Sequence, residues 1–211
     1  MKTLIQCDFD GTITEKDVSF LLLDAFADGN WRQLLNEYKE GKIAVGDFNT
    51  RAFAMVKTGR KTLIDYMRGK VKIRKGFGEL LDYCRGKDFR FVIISNGLDF
   101  YIETILKNLG VDGIQVFAAR TQFDSLGMRV AYIGPDGKSL QNNFKETYTR
   151  LYLEEGYRIA YVGNGISDGP AASLSHQIFA REGLLTYCNK KHLRHTIFND
   201  LTDVTKGLEL L

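Results

Sequence analysis

Two aspartates, Asp8 and Asp10, flank a single phenylalanine in the stretch Ile5-Gln6-Cys7-Asp8-Phe9-Asp10-Gly11-Thr12. They follow an apolar run, residues 4–7, that reads as a strand, so the two-residue side-chain period sends both carboxylates to one side, where their charges repel. Such crowding calls for a positive group between them. Phosphoryl transfer is a chemistry that needs this arrangement: one carboxylate attacks phosphorus, and its neighbour protonates the leaving oxygen and then activates a water. A divalent cation such as Mg²⁺ lifts the repulsion between the attacking carboxylate and the anionic phosphate, and it takes one or two carboxylates plus phosphate and water oxygens.

Three further stretches supply complementary groups. Ser95-Asn96-Gly97 offers a hydroxyl and backbone N–H groups at what reads as the start of a helix, a ready anion site. Lys145 offers a point charge for the equatorial oxygens of a loose transition state. In Gly163-Asn164-Gly165-Ile166-Ser167-Asp168, Asn164 has an amide oxygen that can ligate Mg²⁺ without bringing charge, and Asp168 can hold a metal-bound water or Lys145. Metal candidates read from the residues are Asp8 with a later amide or acidic oxygen, Asn164 or Asp168. Candidate phosphate or substrate contacts are Thr12, Asp17, Ser95, Asn96, Gly97 and Lys145.

Each feature also has a plainer reading; the order of the four stretches favours chemistry at Ser95 and Lys145, while at Gly163 to Gly165 both readings hold together. Alone, Ser95 is a helix N-cap, Lys145 a solvated lysine, and Gly163 to Gly165 a tight turn before a helix with Pro170 in its first turn. Asp17 stays open between an N-cap for the helix at 18–26 and a residue held near Asp8. Cys7 points into the sheet by alternation, and His192 with His195 lacks a third ligand. Phe20, Trp31, Phe48, Phe53 and Tyr66 read as helix packing. Arg51, Arg60 and Arg74 read as solvated helix faces or as contacts for an anionic substrate tail.

The elements that must position these groups alternate. Strand-like runs fall at 4–7, 89–94, 113–118, 158–162 and 177–180, with helical periodicity at 77–84, 100–109, 144–154 and 170–174. The expected class is α/β: a Rossmann-like, mostly parallel sheet with helices on both faces and ligands beyond the carboxyl ends of its strands. Residues 17–75 interrupt the rhythm with four short helices and no strand. The division expected is a core of 1–14 and 76–211 with a helical cap domain at 15–75. Residues 121–143 read as a hairpin with a Pro-Asp-Gly turn.

The chain has 211 residues, 44% of them hydrophobic, enough for one core and a small second lobe. Its 29 basic and 26 acidic residues are interspersed, with a net charge of +3, so no basic tract marks a nucleic-acid partner. Three cysteines at unrelated spacings exclude a disulfide framework. The opening MKTLIQCDFD is cut by charge too early for a leader or a spanning segment. The expectation is a cytoplasmic monomer or homodimer with no membrane partner.

Taken in order, the four stretches resemble the motifs of the haloacid dehalogenase superfamily of phosphotransferases, DFDGTIT most closely. The chain is most similar to the branch with a helical, C1-type cap, which holds phosphoserine phosphatases and methionine-salvage phosphatases of the MtnX type. Asp17, KIRKGF at 72–77 and FAREGL at 179–184 lean toward the latter. The resemblance implies Asp8 as nucleophile, Asp10 as general acid and base, and Ser95 and Lys145 as phosphate ligands. It also implies Mg²⁺ on Asp8 and the main-chain carbonyl of Asp10, and a small phosphorylated metabolite as substrate. The chain departs from the family at Asn164, where an aspartate is usual, which implies weaker metal affinity. Two rivals remain: a phosphate-responsive binding or regulatory module with little turnover, and phosphoryl transfer to a small acceptor.

Overall fold

The computed structural model describes residues 2–124 and 127–210. Ser125 and Leu126, in the expected hairpin, lie outside them. In chain order the elements are β1 (Thr3–Cys7), four helices α1 (Val18–Phe26), α2 (Trp31–Lys39), α3 (Val45–Phe53) and α4 (Arg60–Met67), then α5 (Phe77–Gly86), β2 (Arg90–Leu98) and α6 (Asp99–Asn108). There follow β3 (Gln115–Asp124), β4 (Gly127–Ile133), β5 (Ser139–Leu140), α7 (Phe144–Glu154) and β6 (Arg158–Gly163). A short α8 (Gly169–Ala172), β7 (Gln177–Ala180), α9 (Glu182–Lys190), β8 (Thr196–Ile197) and α10 (Leu201–Glu209) complete the chain.

The strands form one sheet in the order β5-β4-β3-β2-β1-β6-β7-β8. All pairs from β3 to β8 are parallel, and the β3/β4 and β4/β5 pairs are antiparallel. Because β1 is central, Leu4, Ile5 and Cys7 are fully buried, as a strand covered on both faces requires. Cys7 stands opposite Ile93 on one neighbour and Val162 on the other. That register brings Asp8 and Asn164, which follow the ends of β1 and β6, and Ser95, late in β2, to one edge of the sheet, as expected for a parallel α/β core.

Two boundaries differ from the sequence expectation. The second strand runs on to Leu98, and its ladder with β3 slips between Ile94 and Leu98. Ser95, Asn96 and Gly97 therefore belong to irregular strand, and the helix begins only at Asp99. The third strand starts at Gln115 and reaches Asp124, because its outer half pairs antiparallel with β4.

The helical insert is fastened to the core at its two crossings. Asp17 caps α1 by accepting from Phe20 N at 2.9 Å, and Asn30 caps α2. Thr14 bridges Ile73 where the chain enters and leaves. Gly76 (φ 89°) is required there, since a Cβ would overlap the backbone of Thr202 and Leu201. Among the described residues no helix is long and apolar enough to cross a membrane.

Candidate active site

The strand ends and the insert enclose a cavity of about 570 Å³. Asp8, Asp10, Asp17, Ser95, Asn96, Gly97, Lys145 and Asn164 all line it, so one space collects most of the residues singled out from sequence. Thr12 is buried behind them, its hydroxyl bonded to Asn164 Oδ1 at 2.9 Å.

Lys145 is the centre of charge. It sits in the first turn of α7, whose start is tied to β1 through Gln6: Thr149 Oγ1 donates to Gln6 Oε1 at 2.9 Å. The ammonium lies 2.7 Å from Asp8 Oδ1 and 2.5 Å from Asp168 Oδ1. Burial works against its charge, but Asp168 and Asp8 outweigh this and hold its pKa above the usual lysine value. The plain reading of a solvated lysine is excluded, since it is 3% exposed.

Asp168 is fully buried. Its Oδ1 also accepts from Tyr161 OH at 2.7 Å, and its Oδ2 accepts from Asn164 N and Gly165 N at 3.0 and 2.7 Å. Both oxygens are thus spent on Lys145 and on the loop that carries Asn164. The carboxylate positions those groups and is not presented to the cavity, which removes it from the set of direct metal candidates.

Asp8 and Asp10 divide their environments as well as their positions. Burial, with Asp168 nearby, pushes Asp8 up to about 7 against the pull of Lys145. Burial and the charge of Asp17 push Asp10 up to about 8. Asp10 Oδ1 accepts from Val18 N at 2.9 Å, and its Oδ2 accepts from Tyr101 OH, which is itself 2.8 Å from Ser19 Oγ. Two hydroxyls in series can reverse their donor direction, so Asp10 can carry or release a proton without leaving a buried group unpaired. Tyr101 and Ser19 escaped the sequence reading, because nothing local ties an aromatic on α6 to an aspartate 91 residues away.

Asp17 does both things left open for it: it caps α1 and lines the cavity, where burial raises it to about 6. Gly97 is glycine because a Cβ would overlap Asp10 Oδ2 and Tyr101 OH. Its N–H donates to Ser95 Oγ at 3.0 Å, and the three residues 95–97 line the cavity from an irregular strand end, not from the helix start expected for them. The Asn96 carbonyl receives Asn49 Nδ2 from α3 at 3.0 Å and Tyr132 OH from β4 at 2.6 Å.

Arg74 corrects another expectation. It is 8% exposed and faces no substrate space; its guanidinium donates to the carbonyls of Thr12 and Gly11, both at 2.8 Å, and to Thr14 and Asn199, both at 3.2 Å. The aromatic residues of the insert pack on one another, Phe20 on Trp31 at 5.2 Å and Tyr38 on Phe48 at 5.9 Å, yet Phe20, Tyr38 and Phe48 also wall the cavity.

The donor set fits a hard divalent cation. Asp8, Asp10 and Asp168 are buried around the ammonium of Lys145, three carboxylates to one cation, and burial first, with neighbouring carboxylates second, raises Asp8 and Asp10. Asp8 Oδ2 takes no protein donor among the described residues. No group of three His, Cys, Asp or Glu side chains is placed to hold a metal among those residues. A cation here would rest on Asp8, the Asp10 carbonyl, the Asn164 amide oxygen and waters, a donor set that suits Mg²⁺ better than a transition metal.

A carboxylate pair at the end of a central parallel strand, a buried lysine and a helical insert over the cavity are gathered in one α/β fold. A family model for haloacid dehalogenase-like hydrolase matches residues 5–173, and the chain belongs to that family. It is 29% identical over 210 residues to a 2-hydroxy-3-keto-5-methylthiopentenyl-1-phosphate phosphatase of Bacillus velezensis, covering 98% of this chain and 89% of the relative. It is 27% identical to the protein of that name in Brevibacillus brevis, covering 99% and 96%. Among solved structures, a phospho-aspartyl intermediate analogue of phosphoserine phosphatase superposes with a TM-score of 0.73 at 18% identity, covering 98% of each chain.

Proposed function

We propose that this hydrolase cleaves the phosphate monoester of a small metabolite through an aspartyl-phosphate on Asp8, with Mg²⁺ as cofactor. The observation that carries the reading is the ion pair of Asp8 with Lys145, 2.7 Å apart, in one cavity with Asp10. Lys145 pulls Asp8 toward its ionised, attacking form against the effect of burial and faces the phosphate oxygens as charge spreads over them. Asp10, held by Val18 N and Tyr101 OH, gives its proton to the leaving oxygen and later takes one from the hydrolytic water. Ser95 and Lys145 orient the phosphate. Mg²⁺, when bound, neutralises charge between carboxylate and phosphate.

Residues 15–75 act as a cap that excludes bulk water and selects the leaving group. The wall it offers mixes apolar side chains, Phe20, Leu35, Val45 and Phe48, with the charged Glu15, Lys16, Asp17 and Lys39, while Asn96 Oδ1 is a buried acceptor with no hydrogen-bond partner among the described residues. The apolar part of that wall suits an ester with a short apolar tail, as in the substrate named for the Bacillus velezensis relative, and the likeness to that relative over nearly the whole chain supports this class of substrate.

Hydrolysis of p-nitrophenyl phosphate with Mg²⁺ tests the chemistry: Asp8→Asn is expected to lose on the order of 10³-fold or more. A panel of phosphate esters ranked by kcat/KM tests the substrate class. One observation favours a second reading, the uncharged Asn164 in the metal loop, which suits a phosphate-binding module with little turnover. Wild-type protein inert at every Mg²⁺ concentration would be the sign of it.

A further inference from the structure

The amide of Asn164 is held at both ends. Its Oδ1 accepts from Thr12 Oγ1 and its Nδ2 donates to Glu182 Oε2, each at 2.9 Å. A carboxylate only accepts, so Glu182 dictates which end of the amide is nitrogen and turns the oxygen toward the loop of Asp8 and Asp10. Gly11 closes over this side chain, and a Cβ there would overlap the amide.

Glu182 is held in place from three directions. Its backbone lies in the left-handed region, φ 48°, a conformation disfavoured for a residue with a Cβ. The next turn of chain is tied to the same loop, with Leu184 N on Asn164 O at 3.0 Å and Arg181 N on Gly163 O at 3.3 Å. Its second oxygen takes Arg181 Nη2 at 2.9 Å. The side chain lines the catalytic cavity.

We infer that Asn164 and Glu182 form a split ligand for the divalent cation: the amide oxygen faces the metal, and the charge that an aspartate would carry sits one hydrogen bond behind it, on Glu182. This rests on the hydrolase reading above. The carboxylate draws on the amide N–H and so enriches the oxygen, and its own charge adds attraction through the pair. Glu182 is a positioning residue; it acts through Asn164.

The test is Mg²⁺ and Mn²⁺ titration of the full chain by calorimetry in four forms: wild type, Glu182→Gln, Asn164→Asp and the double variant, each checked for an unchanged circular dichroism spectrum. Glu182→Gln alone is expected to weaken binding about tenfold. In the Asn164→Asp background the same change is expected to shift binding by less than about threefold, because aspartate has no amide N–H for Glu182 to hold and brings its own charge to the metal. That asymmetry is the signature. Glu182→Gln without effect in the wild-type background, or with an equal effect in both, overturns the inference alone. A wild type that binds neither ion overturns it together with the hydrolase reading.

Discussion

Lys145 and Asp168 are joined at 2.5 Å in an ion pair of which neither side chain is more than 3% exposed. A pair this deep gives little net stability against an apolar replacement, but removing one partner strands the other. Lys145→Met leaves both Asp8 and Asp168 without their cation. Metal-free unfolding in urea is expected to show a loss of about 3–5 kcal/mol. A loss below about 1 kcal/mol would mean that the carboxylates simply take up protons.

The raised pKa values of the two leading aspartates predict a pH dependence of stability. Relative to 3.8, Asp8 stands at about 7 and Asp10 at about 8, so the folded protein holds these protons more tightly than the unfolded chain. Their contribution is complete below about pH 4 and is lost as pH rises toward 8. In EDTA, the melting temperature of wild type is expected to fall more steeply between about pH 4.5 and about pH 7 than that of Asp8→Asn. Added Mg²⁺ should flatten the wild-type curve. Parallel slopes with and without Asp8 would contradict this.

Tyr101 donates to Asp10 from full burial and does not line the cavity. Tyr101→Phe is therefore expected to lower kcat by about 10–100-fold while KM stays within about twofold, since proton transfer suffers and binding does not. Ser19→Ala should show the same pattern more weakly. A rise in KM as large as the fall in kcat would make Tyr101 a packing residue only.

Arg74 gives its guanidinium to main-chain carbonyls of the loop that follows Asp10. A lysine keeps the charge but cannot reach those carbonyls in parallel, so Arg74→Lys should destabilise by about 2–4 kcal/mol. Thermal unfolding measures it. A shift of less than about 2 °C would show that water replaces the bonds.

Much of this was legible in the chain. The strand periodicity of residues 4–7 and the four helices of the insert follow from local pattern, and Lys145 was found by its place between two motifs. What local pattern could not give was partnership across the fold. Arg74 has no sequence neighbour to say that carbonyls, rather than an anion, are its target. Ser95 to Gly97 carry the composition of a turn and helix cap, yet tertiary pairing with β3 and the packing of Asp10 on Gly97 keep them extended. Glu182 lay inside the FAREGL stretch noticed for its likeness, but its contact with Asn164 depends on how α9 docks.

The Asn96 carbonyl, where Asn49 and Tyr132 converge, bears on how far such proteins are modular. Together with Val18 N on Asp10 and Ser19 on Tyr101, it makes the helical insert part of the frame that holds the reacting groups. Specificity cannot be exchanged between relatives by transplanting residues 15–75 alone. A graft that omits these anchor positions would leave Asp10 and the Asn96 carbonyl without partners they have here, so the insert and its anchors on the core form one unit for exchange.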